Sequence, residues 1–219
     1  MFCAVLFDLD GTLLDTLEDL ADSTNAALSA AGLPAHPVDA YRYYVGDGVE
    51  NLVRRSVPDA VASDAATVAK VRDRMREEYA RRWSVKTRPY AGVAELLDEL
   101  ERRAVPMAVL SNKPDDFVGE MVQHYFPRWH FAAAVGARPG VPRKPDPTAA
   151  LEVASRLARP TSAFLYLGDT NTDMQTARAA GMYPVGALWG FRPESELREA
   201  GAARLIARPA ELLELLEPA

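Results

Sequence analysis

The chain has 219 residues and a formal net charge of −6, and 48% of its residues are hydrophobic. This length and composition are typical of one α/β domain with a smaller insert, and the acidic balance argues against nucleic-acid binding. No apolar run approaches the roughly 18 residues of a membrane-spanning helix. Cys3 is the single cysteine, and the first apolar run leaves no room for a signal peptide, so we expect a cytoplasmic protein.

The first predicted strand is the continuous apolar run over residues 3–7, which is typical of a strand buried on both faces of a parallel sheet. It leads directly into Asp8 and Asp10, and Gly11 then permits a sharp turn. Open α/β sheets bind ligands at the carboxyl ends of their strands. Side chains alternate between the two faces of a strand, so the carboxylates of Asp8 and Asp10 would lie on the same face and repel each other. A divalent cation would relieve this repulsion.

A block of helical patterns follows the first strand. The sequence predicts helices over 16–31, 38–44, 50–56 and 60–83, without a credible strand between them. Such a block cannot continue an alternation of strands and helices. We therefore predict an inserted helical cap domain over residues 16–86, within a core formed by residues 1–15 and 87–219.

The alternation resumes after the helical block. The predicted strands cover 107–110, 131–135, 163–167, 183–188 and 204–206, and the predicted helices cover 94–103, 115–125, 147–158, 171–180, 194–200 and 209–216. Strands separated by helices predict an α/β fold with a doubly wound, Rossmann-like parallel sheet.

Three further segments place polar residues after the predicted strands or in the loops between them. They contain Ser111, Asn112 and Lys113; Lys144; and Asp169 with Asp173. Taken singly each signal is weak, because Lys144 could be a solvated surface lysine and Ser111 a helix N-cap. The order of all the segments along one chain is far more specific than any one of them.

Together these segments resemble the haloacid dehalogenase superfamily, and more closely its phosphoglycolate phosphatase-like branch. The resemblance extends over essentially the full chain. Residues 7–16, 111–113, 144–147 and 168–173 carry it, and residues 181–182, 189–190 and 201–202 continue it. It implies a Mg²⁺-dependent phosphatase that hydrolyses a small phosphorylated metabolite through an aspartyl-phosphate, with 2-phosphoglycolate as the first candidate. We expect a monomer or a homodimer.

The same resemblance implies a role for each polar residue. Asp8 would be the nucleophile, and Asp10 would be the general acid and then the general base. Ser111 would bind a phosphoryl oxygen with help from Asn112, and Lys144 would steady Asp8. The implied Mg²⁺ ligands are Asp8, Asp10 through its backbone carbonyl, and Asp169, with Asp173 as a supporting carboxylate or an additional ligand.

Substrate choice is expected to depend on the helical cap. Gly46 and Gly48 could bring a backbone loop close to the substrate, and Arg42 could hold a carboxylate such as that of 2-phosphoglycolate. The competing interpretation of Arg42 is an ordinary surface arginine. Trp189 is interpreted as a packing residue.

Two alternative functions stay open at this point. A phosphomutase of the β-phosphoglucomutase type would share Asp8 and Asp10 but would pass the phosphoryl group to a sugar. A non-catalytic phosphate-binding module would need one of the motif residues to be missing, and none is.

Overall fold

The computed structural model describes residues 2–216, which divide into two compact units. One unit contains the described residues up to Leu14 and those from Pro89 onward, and the other is Asp15–Arg88. The chain therefore leaves the first unit once and returns once. Within residues 2–216 no helix has both the length and the apolar character that crossing a bilayer requires.

Within residues 2–216, six of the eight strands form one parallel sheet in the first unit. The strands are β1 (Ala4–Phe7), β2 (Leu14–Asp15), β3 (Arg88–Pro89), β4 (Met107–Pro114), β5 (Phe131–Ala137), β6 (Phe164–Gly168), β7 (Tyr183–Ala187) and β8 (Arg204–Ile206). The sheet order is β5-β4-β1-β6-β7-β8, and β2 pairs with β3 separately. From β1 the chain adds β4 and β5 on one side and then β6, β7 and β8 on the other. The order therefore reverses beside β1, and the carboxyl ends of β1 and β6 lie at this topological switch point.

The helices are α1 (Leu17–Ala30), α2 (Tyr41–Tyr44), α3 (Val49–Ser56), α4 (Asp59–Ala62), α5 (Ala65–Arg82), α6 (Val93–Arg102), α7 (Asp115–Tyr125), α8 (Thr148–Arg156), α9 (Asn171–Ala179) and α10 (Glu194–Glu199). Helices α6 to α10 alternate with the strands of the sheet. Leu6, Ala108 and Tyr166 of the three central strands share one buried core cluster with Ala150 and Val153 of α8. This core holds the ends of the central strands in place.

The second unit is helical, and the structure corrects two predictions in it. The predicted helix over 60–83 is wrong in its continuity, because it is divided into α4 and α5. The Asp64 carboxylate accepts hydrogen bonds from the backbone N–H groups of Ala66 (3.0 Å) and Thr67 (3.4 Å), which starts a new helix there. The predicted helix over 38–44 is a 3₁₀ turn, Val38–Ala40, followed by α2.

Three differences concern the first unit and its connections. Strand β4 does not end at residue 110 but continues to Pro114 with a shift in its pairing to β5. The predicted closing helix over 209–216 is a 3₁₀ segment, Pro209–Leu215. The pair β2 and β3 was not predicted, because strands of two residues carry no periodic pattern. The predicted fold class, a doubly wound parallel sheet with an inserted helical domain, is confirmed.

Candidate active site

Three buried carboxylates meet at the carboxyl ends of β1 and β6. Asp8 directly follows β1, and its backbone N–H donates to the Leu167 carbonyl at 2.9 Å, so the ladder with β6 still holds it. Asp169 follows β6, and Asp173 lies in the first turn of α9. Each of the three offers an oxygen within 4.8 Å of the others. Because the carboxyl ends of neighbouring parallel strands lie at one edge of the sheet, residues far apart in the sequence meet here.

Gly11 makes the close approach of Asp169 to the β1 end possible. Its φ of +85° is a conformation that side-chain-bearing residues rarely adopt. A Cβ at this position would lie 2.7 Å from Oδ1 of Asp169, inside van der Waals contact. Glycine is therefore required here both by the turn and by the carboxylate beside it.

Lys144 is a buried lysine, so its interpretation as a solvated surface residue is wrong. Its Nζ lies 2.9 Å from Oδ1 of Asp8 and 2.7 Å from Oδ1 of Asp173, and it donates to the Leu110 carbonyl at 3.1 Å. The Asn112 side chain holds the lysine backbone from both sides, at 2.9 Å from the N–H and 3.0 Å from the carbonyl oxygen. From the sequence, Asn112 is expected to help bind the substrate, and its contact with Lys144 is not expected.

Asp173 is saturated by groups of the protein itself. Its Oδ1 accepts from Lys144 (2.7 Å) and from the Tyr166 hydroxyl (3.4 Å), and its Oδ2 accepts from the Thr170 backbone N–H (3.0 Å) and hydroxyl (2.6 Å). Thr170 in turn accepts from the Asp173 N–H, which completes a capping box at the start of α9. This arrangement suits a carboxylate that orients Lys144 better than one that binds a cation directly.

Asp10 has a lysine partner of its own. Lys113 Nζ lies 3.0 Å from each carboxylate oxygen of Asp10, and the lysine side chain is only 4% exposed. The sequence alone indicates no role for Lys113, because no local pattern relates it to a residue 103 positions away. Its neighbour Ser111 lies inside β4, so it is not a helix N-cap; its hydroxyl accepts from the Lys113 N–H at 3.3 Å.

The electrostatics of this cluster follow from burial and like charge. Burial, and after it the charge of Asp173, raises the pKa of Asp8 to about 7 against the opposing effect of Lys144. The pKa of Asp169 is raised well above its usual value by burial and by the nearby Asp8 and Asp173. Burial alone would lower the pKa of Lys144, but the charges of Asp173 and Asp8 outweigh it and raise that pKa.

The cluster has the properties of a divalent-cation site. Oδ1 of Asp8 is buried, and among residues 2–216 no donor reaches it in hydrogen-bond geometry, although Lys144 pairs with it as an ion. Lys144 pairs with Asp8 and Asp173 but carries a single positive charge, so it cannot balance the negative charge of all three carboxylates. Hard oxygen donors with excess negative charge suit Mg²⁺. Asp8 and Asp169 supply carboxylate oxygens that could hold such an ion, and the family resemblance implies the backbone carbonyl of Asp10 as a further ligand.

The predicted substrate residues of the cap lie in the second unit. The Arg42 side chain is 41% exposed, and its Nε lies 3.6 Å from Oδ1 of Asp39. Gly46 and Gly48 both have positive φ, and the loop that they bound, residues 46–48, ends at the start of α3. What the sequence did not indicate is Arg55, which contacts this 46–48 loop through the Asp47 carboxylate.

Residues 5–187 match the family described as haloacid dehalogenase-like hydrolase. A phosphoglycolate phosphatase of Pseudomonas syringae pv. tomato is 33% identical over 205 residues, which cover 92% of this chain and 75% of that protein. An N-acetylmuramic acid 6-phosphate phosphatase of Pseudomonas aeruginosa is 34% identical over 219 residues, covering 99% of this chain and 95% of that protein.

A solved structure shows the same architecture. A candidate phosphoglycolate phosphatase from Lactobacillus delbrueckii subsp. bulgaricus superposes with a TM-score of 0.92 at 31% sequence identity. The match covers 100% of this chain and 99% of that one. Both the helical insert and the sheet are therefore shared with a relative of nearly the same length.

Proposed function

This chain belongs to the haloacid dehalogenase-like hydrolase family, and we propose that it is a Mg²⁺-dependent phosphatase that uses Asp8 as its nucleophile. The predicted enzyme class, a phosphoric monoester hydrolase, is confirmed by the family match and the phosphatase relatives. The metal dependence, the covalent intermediate and the substrate are what we propose. The observation that carries the proposal is the buried Asp8, placed between Lys144 and Asp169 at the end of the central strand.

The reaction consists of two displacements at phosphorus. The Asp8 carboxylate attacks phosphorus, the bond to the alkoxide oxygen breaks, and Asp10 donates a proton to the leaving alkoxide. Asp10 then takes a proton from a water molecule, which attacks the aspartyl-phosphate, releases phosphate and regenerates Asp8. Lys144 holds Asp8 in place and balances negative charge, with Ser111 as a donor to a phosphoryl oxygen. Mg²⁺ held at Asp8 and Asp169 would supply positive charge that stabilises the negative charge of the phosphoryl group.

The substrate is proposed to be a small phosphomonoester that also carries a carboxylate. The two relatives differ in the named substrate, yet 2-phosphoglycolate and N-acetylmuramic acid 6-phosphate are both carboxylic acids. We take 2-phosphoglycolate as the first candidate. The second candidate is N-acetylmuramic acid 6-phosphate, because this chain matches 95% of the length of the relative named for that substrate.

A panel of phosphate esters tests this proposal. Released phosphate is measured with 2-phosphoglycolate, with N-acetylmuramic acid 6-phosphate, and with N-acetylglucosamine 6-phosphate, which lacks the lactyl carboxylate of the second compound. We expect a higher kcat/KM for the carboxylate-bearing member of the sugar pair and the highest value for 2-phosphoglycolate. No phosphate release from any ester would contradict the proposed activity, and equal values within the pair would contradict carboxylate recognition.

The nucleophile is tested by Asp8→Asn, which is nearly isosteric and should keep the fold. We expect kcat to fall on the order of 10⁴-fold or more, as removal of a nucleophile typically does. Circular dichroism of the variant checks that the fold is retained. A folded variant that keeps a tenth of wild-type turnover would rule out the aspartyl-phosphate.

The phosphomutase alternative makes a different prediction. A mutase would interconvert sugar phosphates and would require a bisphosphate activator, whereas the phosphatase releases phosphate from its substrate without one.

A cytoplasmic location and a monomeric or homodimeric state stay predictions from the sequence.

A further inference from the structure

A short segment after β7 lies against Asp169. It consists of Trp189, Gly190 and Phe191, and we call it the 189–191 segment. The Phe191 backbone N–H donates to Oδ2 of Asp169 at 2.8 Å. A Cβ added to Gly190 would lie 2.5 Å from both Cγ and Oδ2 of Asp169. The segment therefore contacts the carboxylate closely, and its middle residue has no room for a side chain.

The same segment reaches Asp169 by a second route. The Trp189 indole Nε1–H donates to the Thr12 carbonyl at 3.0 Å, and the Thr12 hydroxyl donates to Oδ1 of Asp169 at 2.8 Å. Trp189 is thus more than the packing residue that the sequence suggested. It fixes the turn after β1, and that turn supplies the second donor to the carboxylate.

Together the two routes hold the carboxylate at both ends. Each oxygen of the fully buried Asp169 accepts one of these hydrogen bonds. A carboxylate oxygen has a second lone pair, so each can still face a cation. Donors of this kind orient a metal-binding carboxylate without touching the metal, and their loss typically weakens metal affinity about 10–100-fold.

We propose that the 189–191 segment is a positioning element that sets the affinity of Asp169 for the divalent cation. This inference rests on the proposed function, because it assumes that Asp169 is a ligand of Mg²⁺. It assigns a role to three residues that were not among the predicted site residues. The role acts through Asp169, so none of the three residues needs to contact the substrate.

The decisive variant is Gly190→Ala, with Gly119→Ala as its matched control. Gly119 lies in α7, and a Cβ there would meet nothing within 4 Å. We expect Gly190→Ala to raise the Kd for Mg²⁺, measured by calorimetry on the metal-free protein, by about tenfold or more. The control should keep the wild-type Kd. Circular dichroism and the Tm in EDTA check the fold of both proteins.

A second variant removes only the indole donor. Trp189→Phe keeps an aromatic ring but cannot donate a hydrogen bond to the Thr12 carbonyl. Its matched control is Trp129→Phe, which removes a comparable indole hydrogen bond to the exposed Asp98. We expect a higher Kd for Mg²⁺ in the first variant alone. This variant decides the question if Gly190→Ala fails to fold.

The outcomes separate the inference from the proposed function. If wild type binds Mg²⁺ and depends on it, but the folded variants at positions 189 and 190 bind it with the wild-type Kd, the inference is wrong and the phosphatase stands. If wild type neither binds Mg²⁺ nor loses activity in EDTA, the metal assignment fails, and the inference fails with it.

Discussion

Each carboxylate at the end of β1 has a lysine from a distant part of the chain. Asp8 pairs with Lys144 at 2.9 Å, and Asp10 pairs with Lys113 at 3.0 Å. Repulsion between Asp8 and Asp10 was expected from their spacing, and the expected remedy was a divalent cation. Two buried lysines provide part of that compensation and also hold the carboxylates in separate positions. The two residues can therefore perform different chemical tasks although they are separated by one residue in the sequence.

Asp10→Asn tests the division of tasks between the two carboxylates. The amide cannot protonate the leaving oxygen, so hydrolysis of alkyl phosphates should slow strongly. Aryl phosphates have good leaving groups that need little help from an acid, and they should lose less. The measurement is kcat/KM for 2-phosphoglycolate and for an aryl phosphate, in wild type and variant. Equal losses on both substrates would show that Asp10 is not the general acid.

At the scale of elements, the 46–48 loop is attached to helix α3 by Arg55. Arg55 pairs with the Asp47 carboxylate, and its Nη1 lies 3.4 Å from the Tyr43 carbonyl and 3.3 Å from the Tyr44 carbonyl. One guanidinium therefore contacts both the loop and the end of α2. Arg42, the residue singled out from the sequence, pairs with Asp39 instead.

Arg55→Ala should free the 46–48 loop and weaken discrimination among phosphate esters. If this loop recognises the end of the substrate that does not react, the preferred metabolite should lose kcat as well as affinity. An aryl phosphate that lacks this end should be hydrolysed almost as before. The measurement is the ratio of kcat/KM for the two substrates.

Arg54→Ala is the matched control for this prediction. Arg54 is the adjacent arginine on α3, but it contacts Glu50 and the Ala62 carbonyl rather than the loop. Its substitution should leave the substrate ratio unchanged. If the Arg55→Ala protein keeps the wild-type ratio of kcat/KM, the 46–48 loop does not determine specificity. If only Arg42→Ala changes this ratio, Arg42 is the specificity residue, as the sequence suggested.

At the scale of the whole molecule, the raised pKa of Asp8 links folding to pH. The usual value is 3.8 and the folded value is about 7, so between them the folded state keeps a proton that the unfolded chain has released. Stability of the metal-free protein therefore falls as pH rises through this interval, by at most about 1.4 kcal/mol per pH unit for one group. Asp169, whose pKa is also raised, acts in the same direction.

A bound cation favours the ionised carboxylates, so stabilisation by Mg²⁺ should grow as pH rises. We expect the increase in Tm on adding Mg²⁺ to be larger at about pH 8 than at about pH 6. In EDTA, Asp8→Asn should show a weaker decline of Tm with pH than wild type, because one titrating group is gone. A Mg²⁺ effect that is independent of pH, with identical slopes for both proteins, would contradict this linkage.

The parallel sheet, the helical insert and the acidic residues of the candidate site can be predicted from the sequence alone. Each of these features corresponds to a pattern among residues that are close together in the sequence. A strand buried on both faces is continuously apolar, as residues 4–7 are, and the topology rule for parallel sheets then places Asp8 and Asp169 at one edge. Even the spacing of Asp169 and Asp173 could be interpreted locally, because it equals about one helical turn.

The groups that hold these residues in place can be identified only in the folded chain. Lys113 meets Asp10 across 103 residues, Thr12 meets Asp169 across 157, and Trp189 meets Thr12 across 177. No periodic pattern relates residues so far apart, since local patterns report only which face of one element is buried. The requirement for glycine at position 190 is also invisible to local patterns, because the atoms that a Cβ there would contact belong to Asp169, at the end of a different strand.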